Sequence, residues 1–290
     1  MAIADRNSTP RILIAGCGKL GGAIASTLQE SAQVYGLRRN PGKVPEGVEG
    51  IGADLTRPDT LNGKLPDSLD TVIYCLTPSS YDEQGYRDAY VTGLSNLLEA
   101  LGNQPLKRLF FISSTSVYAQ NDDSLVDETS PTSPSRVTGQ QILAGEQAAL
   151  DSPHPATIVR FSGIYGPTRR RFLEAVVAGR MNPTKPAPFS NRIHEEDAAA
   201  AVAYLNGLAF SGKPLDNCYV ASDCEPARLD EVVNWVRQQV ACAEPAADAR
   251  KGGRAGSKRC NNQRLLQTGF RFRYPDFRTG YREMIEKGQV

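Results

Sequence analysis

Two short segments of this 290-residue chain carry residue types and spacings that can do chemistry. In the first, Gly16, Gly18 and Gly21 follow the apolar run Arg11–Ala15 and precede a helical pattern. The second is the hydroxyl-rich segment Ser113–Tyr118, which also follows an apolar run. A G-x-G-x-x-G turn between a strand and a helix brings backbone N–H groups to a pyrophosphate. The first segment therefore predicts a dinucleotide site.

Each part of the glycine turn has its own predicted role. Gly16 permits the tight turn, Gly18 lets the pyrophosphate approach the backbone, and Gly21 lets the helix pack closely on the strand. Lys19 and Leu20 belong to the start of that helix, whose positive N-terminal end would face the phosphates. A glycine-rich turn without a ligand is the alternative interpretation.

The end of the second predicted strand, Gln33–Leu37, favours NADP over NAD. An acidic residue at this position would hold the ribose 2′-hydroxyl of NAD. This chain has Arg38 and Arg39 there instead, after Gly36, which leaves space. Arginine pairs with phosphate in a bidentate fork. We therefore expect Arg38, with Arg39 second, to bind the 2′-phosphate of NADP; two solvated loop arginines are the alternative.

Two more turns complete the predicted cofactor site. Asp54 and Leu55 follow the third predicted strand, where the Asp54 carboxylate either accepts from the adenine amino group or only shapes the turn. Cys75, Leu76 and Thr77 end the fourth strand and are expected to pass beneath the cofactor by backbone contact.

Alternating strands and helices are needed to place such turns at one sheet edge. Apolar runs typical of strands occur at Arg11–Ala15, Gln33–Leu37, Val48–Ala53, Thr71–Cys75, Leu109–Ile112 and Thr157–Phe161. Helical patterns between them cover Leu20–Gln29, Tyr86–Leu101 and Gln140–Leu150. This alternation predicts an α/β fold with right-handed crossovers and a doubly wound parallel Rossmann sheet.

The pattern changes after residue 165. Further helices are expected at Glu196–Leu208 and at Asp230–Val240, with Asp230 as a cap, and a further strand at Asn217–Ala221. The basic segment 244–258 is predicted to be a mobile loop, and the basic stretch 250–259 to be solvated.

These patterns predict two domains. Residues 1–165 are assigned to an NAD(P)-binding Rossmann domain. Residues 166–290 are assigned mainly to a smaller C-terminal substrate-binding lobe, with 196–222 returning to the Rossmann sheet.

Bulk composition excludes several classes of partner. The net charge of +1 gives no electrostatic reason to expect a nucleic acid or an anionic membrane as a partner. No apolar run approaches the roughly 20 residues that span a bilayer. The six cysteines are scattered without a Cys-x-x-Cys pair, and the His and Cys spacing fits no metal site. We expect a cytoplasmic protein with a small-molecule substrate.

Together these motifs resemble the extended short-chain dehydrogenases/reductases, and among them the NAD-dependent epimerase/dehydratase family, in its atypical YeeZ-like branch. The matching segments are the glycine turn, Asp54-Leu55, Tyr90–Leu98, Ser113–Tyr118, Arg160–Pro167 and Asn191–Asp197. The resemblance implies an NAD(P)-dependent oxidoreductase or epimerase acting on a small polar molecule, such as a nucleotide sugar or a carboxylate. It also implies a homodimer formed through the helices around Tyr86–Leu101 and Gln140–Leu150.

The resemblance breaks at the catalytic pair. It implies that Ser114 positions the substrate oxygen and that Ser113 lies beside the cofactor. The family's acid/base Tyr, and the Lys four residues later that lowers its pKa, align with Thr138 and Ile142. A Thr hydroxyl is no base near neutral pH and Ile carries no charge, so these roles do not transfer.

Other residues are candidates by resemblance. Tyr118, Tyr165 and His194 are candidates for the missing acid/base, with packing as the alternative for each. Gly163 and Ile164 are expected to wrap the nicotinamide ribose. The predicted substrate-binding residues are Arg169, Arg192 and His194, which suit an anionic substrate. Two expectations concern structure alone: His154 lies at the surface between two prolines, and Asp197 caps the following helix.

Three functions remain open from the sequence. The first is an NADP-dependent oxidoreductase or epimerase, favoured by Ser114 and by the Gly163–Pro167 segment. The second is a non-catalytic NADP-binding sensor, favoured by the loss of the Tyr/Lys pair. A structural subunit with a relic cofactor site is the third.

Overall fold

The computed structural model describes residues 9–252 and 256–289. Its strands are β1 Arg11–Ala15, β2 Gln33–Arg38, β3 Glu49–Gly52, β4 Thr71–Tyr74, β5 Arg108–Ser114, β6 Leu125–Val126, β7 Ala156–Phe161, β8 Gly163–Tyr165, β9 Phe189–Ser190, β10 Arg192–His194, β11 Cys218–Ala221, β12 Ala227–Arg228 and β13 Arg259–Cys260. Every strand expected from an apolar run is present, with bounds that differ by a few residues.

The α-helices are α1 Lys19–Leu28, α2 Glu83–Arg87, α3 Gly93–Leu101, α4 Val137–Leu150, α5 Arg171–Val177, α6 Glu195–Phe210, α7 Leu229–Gln239, α8 Gln263–Gln267 and α9 Phe277–Glu286. Short 3₁₀ turns cover Pro41–Lys43, Pro58–Leu61 and Thr115–Val117. Within the part of the chain that the structure describes, no helix is long and apolar enough to cross a membrane.

Seven strands form the main sheet in the order β11-β7-β5-β4-β1-β2-β3. The pairings among β1 to β5 are parallel; Leu13 in β1, for example, lies opposite Tyr35 on one side and Val72 on the other. Parallel neighbours need crossover connections, and the helices between the strands supply them. The order runs outward in both directions from β1, which confirms the predicted doubly wound Rossmann sheet.

The central strands are apolar because helices cover both faces of such a sheet. Leu13 and Ile14 in β1 and Val72 and Ile73 in β4 are fully buried. Burial of each of these side chains stabilises the fold by about 1.5–3 kcal/mol. This packing holds the carboxyl ends of the strands, and hence the turns that follow them, in a fixed arrangement.

By its internal contacts the chain divides into two compact units. The first contains the residues up to Ser113 together with Arg136–Ile158 and Val202–Asn217. The second contains Ser114–Ser135, Val159–Ala201 and the residues from Cys218 onward. The simpler division near residue 166 stays a prediction.

The second unit has its own apolar core. Leu173 and Val176 from α5 pack with Val232 and Val236 from α7 and with Phe277 at the start of α9. Its short strands pair in twos: β8 with β10 and β6 with β13 in parallel, and β9 with β12 antiparallel. This core therefore depends on segments that are far apart in the sequence.

The predicted helix Tyr86–Leu101 is interrupted by a π-helical turn at Asp88–Thr92. The buried Tyr74 hydroxyl in β4 donates to the Ala89 carbonyl at 2.5 Å. A Cβ on Gly93 would lie 2.7 Å from that hydroxyl oxygen, so only glycine fits there. A carbonyl engaged from outside the helix accounts for the local widening of the turn.

Three local expectations were wrong. Asp197 does not cap a helix, since it lies inside the first turn of α6 and accepts from the Arg273 and Tyr274 backbone N–H groups at 2.9 and 2.8 Å. Asp230 is likewise inside α7, whose N-cap is Arg228. His154 is only 5% exposed, and its burial lowers its pKa, while hydrogen bonds to the backbone of residues 102 and 104 oppose that shift.

Candidate cofactor pocket and catalytic residues

The turns at the carboxyl ends of β1 to β4 line one pocket of about 370 Å³ in the first unit. The glycine turn contributes Gly16 and Gly18, and the turn after β4 contributes Cys75, Leu76 and Thr77. A volume of this order is common for small-molecule sites. Predicted cofactor residues from four separate strands therefore meet in one place.

The glycine turn has the geometry that a bound pyrophosphate needs. Gly16 has φ +101°, and a Cβ there would lie 2.5 Å from the Cys75 carbonyl oxygen. A Cβ on Gly21 would overlap the Gly16 carbonyl oxygen, so close packing of α1 requires glycine. Gly18 is different: a Cβ there would meet nothing closer than 4.0 Å, and the space beside it belongs to the pocket. That open backbone fits a pyrophosphate.

In the first turn of α1, the side chains do not line the cofactor pocket. Lys19, Leu20 and Gly21 begin the helix, and none of them is among the residues that line the pocket. Leu20 is 7% exposed and belongs to the core. Their predicted cofactor contact therefore depends on the helix N-terminus alone.

One end of the pocket is basic. Arg38, Arg39, Asn40 and Lys43 all line it. Arg38 is fixed in place because its Nη1 donates to the Cys17 carbonyl at 3.0 Å and to the Lys43 carbonyl at 2.6 Å. Arg39 and Lys43 are exposed. Sequence analysis missed Asn40 and Lys43, although both belong to the same turn as the two arginines.

Gly36 has a different role from the one expected. A Cβ there would lie 2.8 Å from Val44 Cγ1 and 2.9 Å from Cys17 Sγ. The space that Gly36 leaves is therefore filled by these two side chains and not by a cofactor. Burial raises the pKa of the Cys17 thiol, which suits this packing role.

The turn after β3, the neighbour of β2 in the sheet, is ordered and carries an acidic residue. Asp54 Oδ1 accepts from the Thr56 backbone N–H at 3.0 Å and from the Thr56 hydroxyl at 2.8 Å. Asp54 shapes the turn in this way and also lines the pocket, together with Leu55. Asp88 and Ala89 of the π turn line it too, and no spacing in the sequence pointed to them.

Ser113 does not line this pocket, and its burial and hydrogen bond argue against the cofactor contact predicted for it. Its side chain is 5% exposed, and its hydroxyl donates to Glu146 Oε1 of α4 at 2.5 Å. Successive strand residues point to opposite faces, so Ser113 and Ser114 cannot both face a ligand. The alternation of side-chain directions along β5 is the sequence signal that distinguishes Ser113 from Ser114.

Ser114 ends β5 in the second unit and has a side chain available for a ligand. Its Oγ accepts from the Ser116 backbone N–H at 3.2 Å, which caps the 3₁₀ turn Thr115–Val117. The side chain is partly exposed. A hydroxyl that accepts on one side keeps its proton for donation on another, so Ser114 can donate to a substrate oxygen.

The replacements for the family's catalytic pair lie in α4. Thr138 is partly exposed and Ile142 is 2% exposed. Ile142 is thus a packing residue of the first unit. Neither position offers an acid, a base or a charge.

Tyr118 is a structural anchor in this geometry. It is 2% exposed, and its hydroxyl donates to the Asp127 carbonyl at 2.7 Å and accepts from Arg160 Nη1 at 2.9 Å. Burial raises the pKa of the phenol, although the neighbouring Arg160 acts in the opposite direction. A phenol that is held protonated and doubly hydrogen-bonded is poorly placed for acid/base catalysis.

Tyr165 and His194 lie in the interior of the second unit, not at an open surface. Their rings are 4% and 2% exposed and lie edge to face, with centroids 5.3 Å apart. The His194 ring also packs on Tyr274, with centroids 3.8 Å apart, and its Nδ1 accepts from the Glu196 N–H at 3.3 Å. Burial raises the pKa of Tyr165 and lowers that of His194. This geometry favours packing for both.

The predicted substrate arginines differ in accessibility. Arg192 is 5% exposed, donates to Ser190 Oγ at 2.8 Å, and has its guanidinium over the Phe172 and Phe277 rings. Direct substrate contact by Arg192 is not supported by this burial. Arg169 is partly exposed, with its Nε 3.8 Å from Glu195 Oε2.

The segment expected to wrap the nicotinamide ribose is part of a strand pair. Gly163 and Ile164 in β8 lie opposite Arg192 and Ile193 in β10. Gly163 is exposed and Ile164 partly so. Their contact with a cofactor stays a prediction.

Residues 12–200 match the model of the NAD dependent epimerase/dehydratase family. The chain belongs to this family. Its cofactor class is therefore a nicotinamide dinucleotide, which agrees with the open glycine turn. No curated protein matches the chain.

Solved structures extend the likeness over nearly the whole chain. A protein from Methylobacillus flagellatus, named for the NAD-dependent epimerases/dehydratases, is 34% identical, with a TM-score of 0.81 over 98% of this chain and 100% of that one. A functionally unknown protein from Silicibacter pomeroyi is 24% identical, with a TM-score of 0.76 over 97% and 99%. The UDP-glucose 4-epimerase of Thermus thermophilus, in complex with NAD, is 20% identical, with a TM-score of 0.79 over 97% and 100%. The last two show the fold alone.

Proposed function

We propose that this family member is an NADP-dependent oxidoreductase or epimerase that acts on a small polar, anionic substrate, such as a nucleotide sugar or a carboxylate. The observation that carries the proposal is the basic end of the cofactor pocket. Arg38 is held there by two backbone carbonyls, and Arg39 and Lys43 add two exposed cations. A 2′-phosphate would meet three positive charges at this end, while the end of β2 offers no acid to a 2′-hydroxyl.

The chain's own residues suggest how the cofactor and substrate are held. Gly18 and the N-terminus of α1 would bind the pyrophosphate through backbone N–H groups, and Arg39 and Lys43 the 2′-phosphate. A bound nicotinamide supplies or accepts a hydride. Ser114 would donate its hydroxyl proton in a hydrogen bond to the substrate oxygen and stabilise negative charge there.

An anionic substrate is favoured by the start of α5. Arg169, Arg170 and Arg171 follow one another there. The first two have carboxylates nearby, at 3.8 Å for Arg169–Glu195 and 3.7 Å for Arg170–Glu174, and Arg171 is exposed. Three adjacent cations attract a phosphate or a carboxylate more strongly than a neutral sugar.

A fluorescence titration of the purified protein with NADPH and NADH tests the cofactor half of the proposal. We expect NADPH to bind at least about tenfold more tightly than NADH, which corresponds to about 1.4 kcal/mol. Equal affinities would contradict the assigned phosphate end, and binding of neither would contradict the whole proposal.

Oxidation of NADPH with a carbonyl panel that includes phenanthrenequinone tests the catalytic half. We expect Ser114→Ala to lower kcat/KM at least about tenfold while the NADPH affinity stays unchanged, because Ser114 is not among the pocket-lining residues. An unchanged rate in the variant would contradict the role of Ser114.

A non-catalytic NADP-binding sensor is the second candidate function. It is favoured by Thr138 and Ile142, which replace the family's acid/base pair. Tight NADPH binding without oxidation by any carbonyl of the panel would favour the sensor over a reductase.

A further inference from the structure

Lys258 is a buried lysine in a stretch that sequence analysis predicted to be solvated. It is 2% exposed, and its ammonium Nζ donates to the Tyr118 carbonyl at 3.2 Å. The prediction for this stretch is therefore wrong at Lys258 and at its neighbour Ser257, which is 8% exposed. An ammonium is rarely taken out of water without a specific reason, because its desolvation is costly.

The backbone around Lys258 is fixed on both sides. The Asn191 side chain bonds it twice, since Nδ2 donates to the Lys258 carbonyl at 2.9 Å and Oδ1 accepts from the Cys260 N–H at 2.8 Å. Before Lys258, the Ser257 N–H donates to Asn121 Oδ1 at 2.7 Å. The position of the ammonium thus follows from an ordered scaffold.

This scaffold is hydrogen-bonded to the turn Ser114–Tyr118. The side chains of Cys260 and Thr115 are hydrogen-bonded at the start of the turn. Lys258 bonds the carbonyl of Tyr118 at its end. Ser114 caps the same turn through its own Oγ. The ammonium therefore bonds one end of the turn whose other end carries the hydroxyl that the proposed function assigns to the substrate.

We propose that Lys258 is a positioning residue which holds the Ser114–Tyr118 turn and adds a positive charge to it, in a family member whose usual lysine position is the uncharged Ile142. The inference rests on the proposed function. The ammonium holds the turn so that the Ser114 hydroxyl is presented, and its field favours negative charge on the oxygen that this hydroxyl binds.

The titration of Lys258 has a defined direction. Burial lowers the pKa of its ammonium, while Cys260 acts in the opposite direction. The positive charge is present below that pKa and is lost above it, so activity should fall at a pH below the ordinary lysine value of about 10.4.

The charged and titratable groups around this scaffold include Cys260 with Asp223 near it, Tyr118 with its partner Arg160, and Asp123 with Arg228 and Arg259 near it. Burial raises the pKa of Asp223. Burial raises the pKa of Cys260 to about 12 and also raises that of Tyr118. Hydrogen bonds from Ser257 and Arg228 lower the pKa of Asp123. Cys260, Tyr118 and Asp123 do not titrate in the range where Lys258 is expected to lose its proton.

The test compares Lys258→Met and Lys258→Arg with the wild type, using NADPH and phenanthrenequinone between about pH 6 and 10. We expect Lys258→Met to lose at least about tenfold in kcat/KM at neutral pH with the NADPH affinity unchanged. Lys258→Arg should keep most of the activity, since arginine stays charged throughout this range. It should therefore not show the fall in activity at high pH, which we call the alkaline limb. Lys107→Met, which removes a surface cation paired with Asp70 at 3.0 Å, is the matched control and should have no effect.

A second measurement needs neither substrate nor cofactor. In protein labelled with ¹⁵N-lysine, the ammonium signal that disappears in Lys258→Arg should titrate at the pH of the alkaline limb. If the two values differ, or if the limb persists in Lys258→Arg, the proposal is overturned, even where Lys258→Met fails to fold. An unchanged rate in folded Lys258→Met also overturns it. Wild-type protein that binds NADPH but reduces no carbonyl of the panel removes the reductase activity on which this inference rests, and this inference with it.

Discussion

The Ser113 hydroxyl donates to the Glu146 carboxylate at 2.5 Å, with both side chains buried. Glu146 lies in α4, the helix that also contains Thr138 and Ile142. This contact joins α4 to β5, while the two positions of α4 that align with the family's catalytic pair offer no acid or base. Helix packing and proton chemistry are thus assigned to different positions of the same helix.

Removal of the Ser113 hydroxyl should affect stability and not cofactor binding. Ser113→Ala takes one donor from a buried carboxylate, so we expect the free energy of unfolding to fall by about 1–3 kcal/mol. Denaturant unfolding measures this change, and an NADPH titration should show no loss of affinity. Ser114→Ala is the matched control, since its partly exposed hydroxyl leaves no buried charge without a donor. Weaker NADPH binding in Ser113→Ala would restore Ser113 to the cofactor site.

Two glycines of the same turn should respond differently to alanine. In Gly18→Ala the new Cβ enters open pocket space, so we expect normal stability and at least about tenfold weaker dinucleotide binding. In Gly16→Ala the Cβ meets the Cys75 carbonyl at a φ of +101°, so the fold itself should lose about 1–3 kcal/mol. Thermal unfolding and NADPH titration of both variants separate the effects. Equal loss of stability in the two would contradict the open space beside Gly18.

The cations of the basic pocket end should determine the choice of cofactor. We expect Arg39→Ser and Lys43→Ser each to weaken NADPH binding about three- to tenfold and to leave NADH binding unchanged, because only NADPH carries the 2′-phosphate. Arg38→Ser should weaken both cofactors, since Arg38 also ties Cys17 to Lys43. Arg57→Ser, an exposed arginine paired with Asp59 and not a pocket-lining residue, is the control. A parallel loss of NADH affinity in Arg39→Ser would contradict a phosphate-specific role.

Local patterns were sufficient for the sheet and for most of the cofactor pocket. Apolar runs located each main-sheet strand. The residues that follow parallel strands meet at one sheet edge because of the strand direction, independent of their side chains. The second unit is different, because its interior joins Tyr165, His194 and Tyr274 from distant segments. Sequence spacing carries no signal for such contacts. Composition also misled at Lys258, since a basic stretch is normally solvated.

The pH dependence of stability should reveal the two buried histidines. Burial lowers the pKa of both His154 and His194, so the folded state binds fewer protons than the unfolded state once the pH falls below the ordinary histidine value of about 6.5. The contribution of each histidine to stability is therefore complete above that pH and is lost as the pH falls, by up to about 1.4 kcal/mol per pH unit.

The wild-type curve alone would not isolate this effect. Burial raises the pKa of Asp197 and Asp223, and these carboxyl groups contribute to the pH dependence with the opposite sign. Their contributions cancel when the wild type is compared with His194→Gln or His154→Gln by denaturant unfolding between about pH 5 and 7.5. We expect the stability of the wild type relative to each variant to fall below about pH 6.5, because glutamine has no proton to gain. A difference that stays constant with pH would mean that the imidazole is as easily protonated in the folded chain as in water, which its burial contradicts.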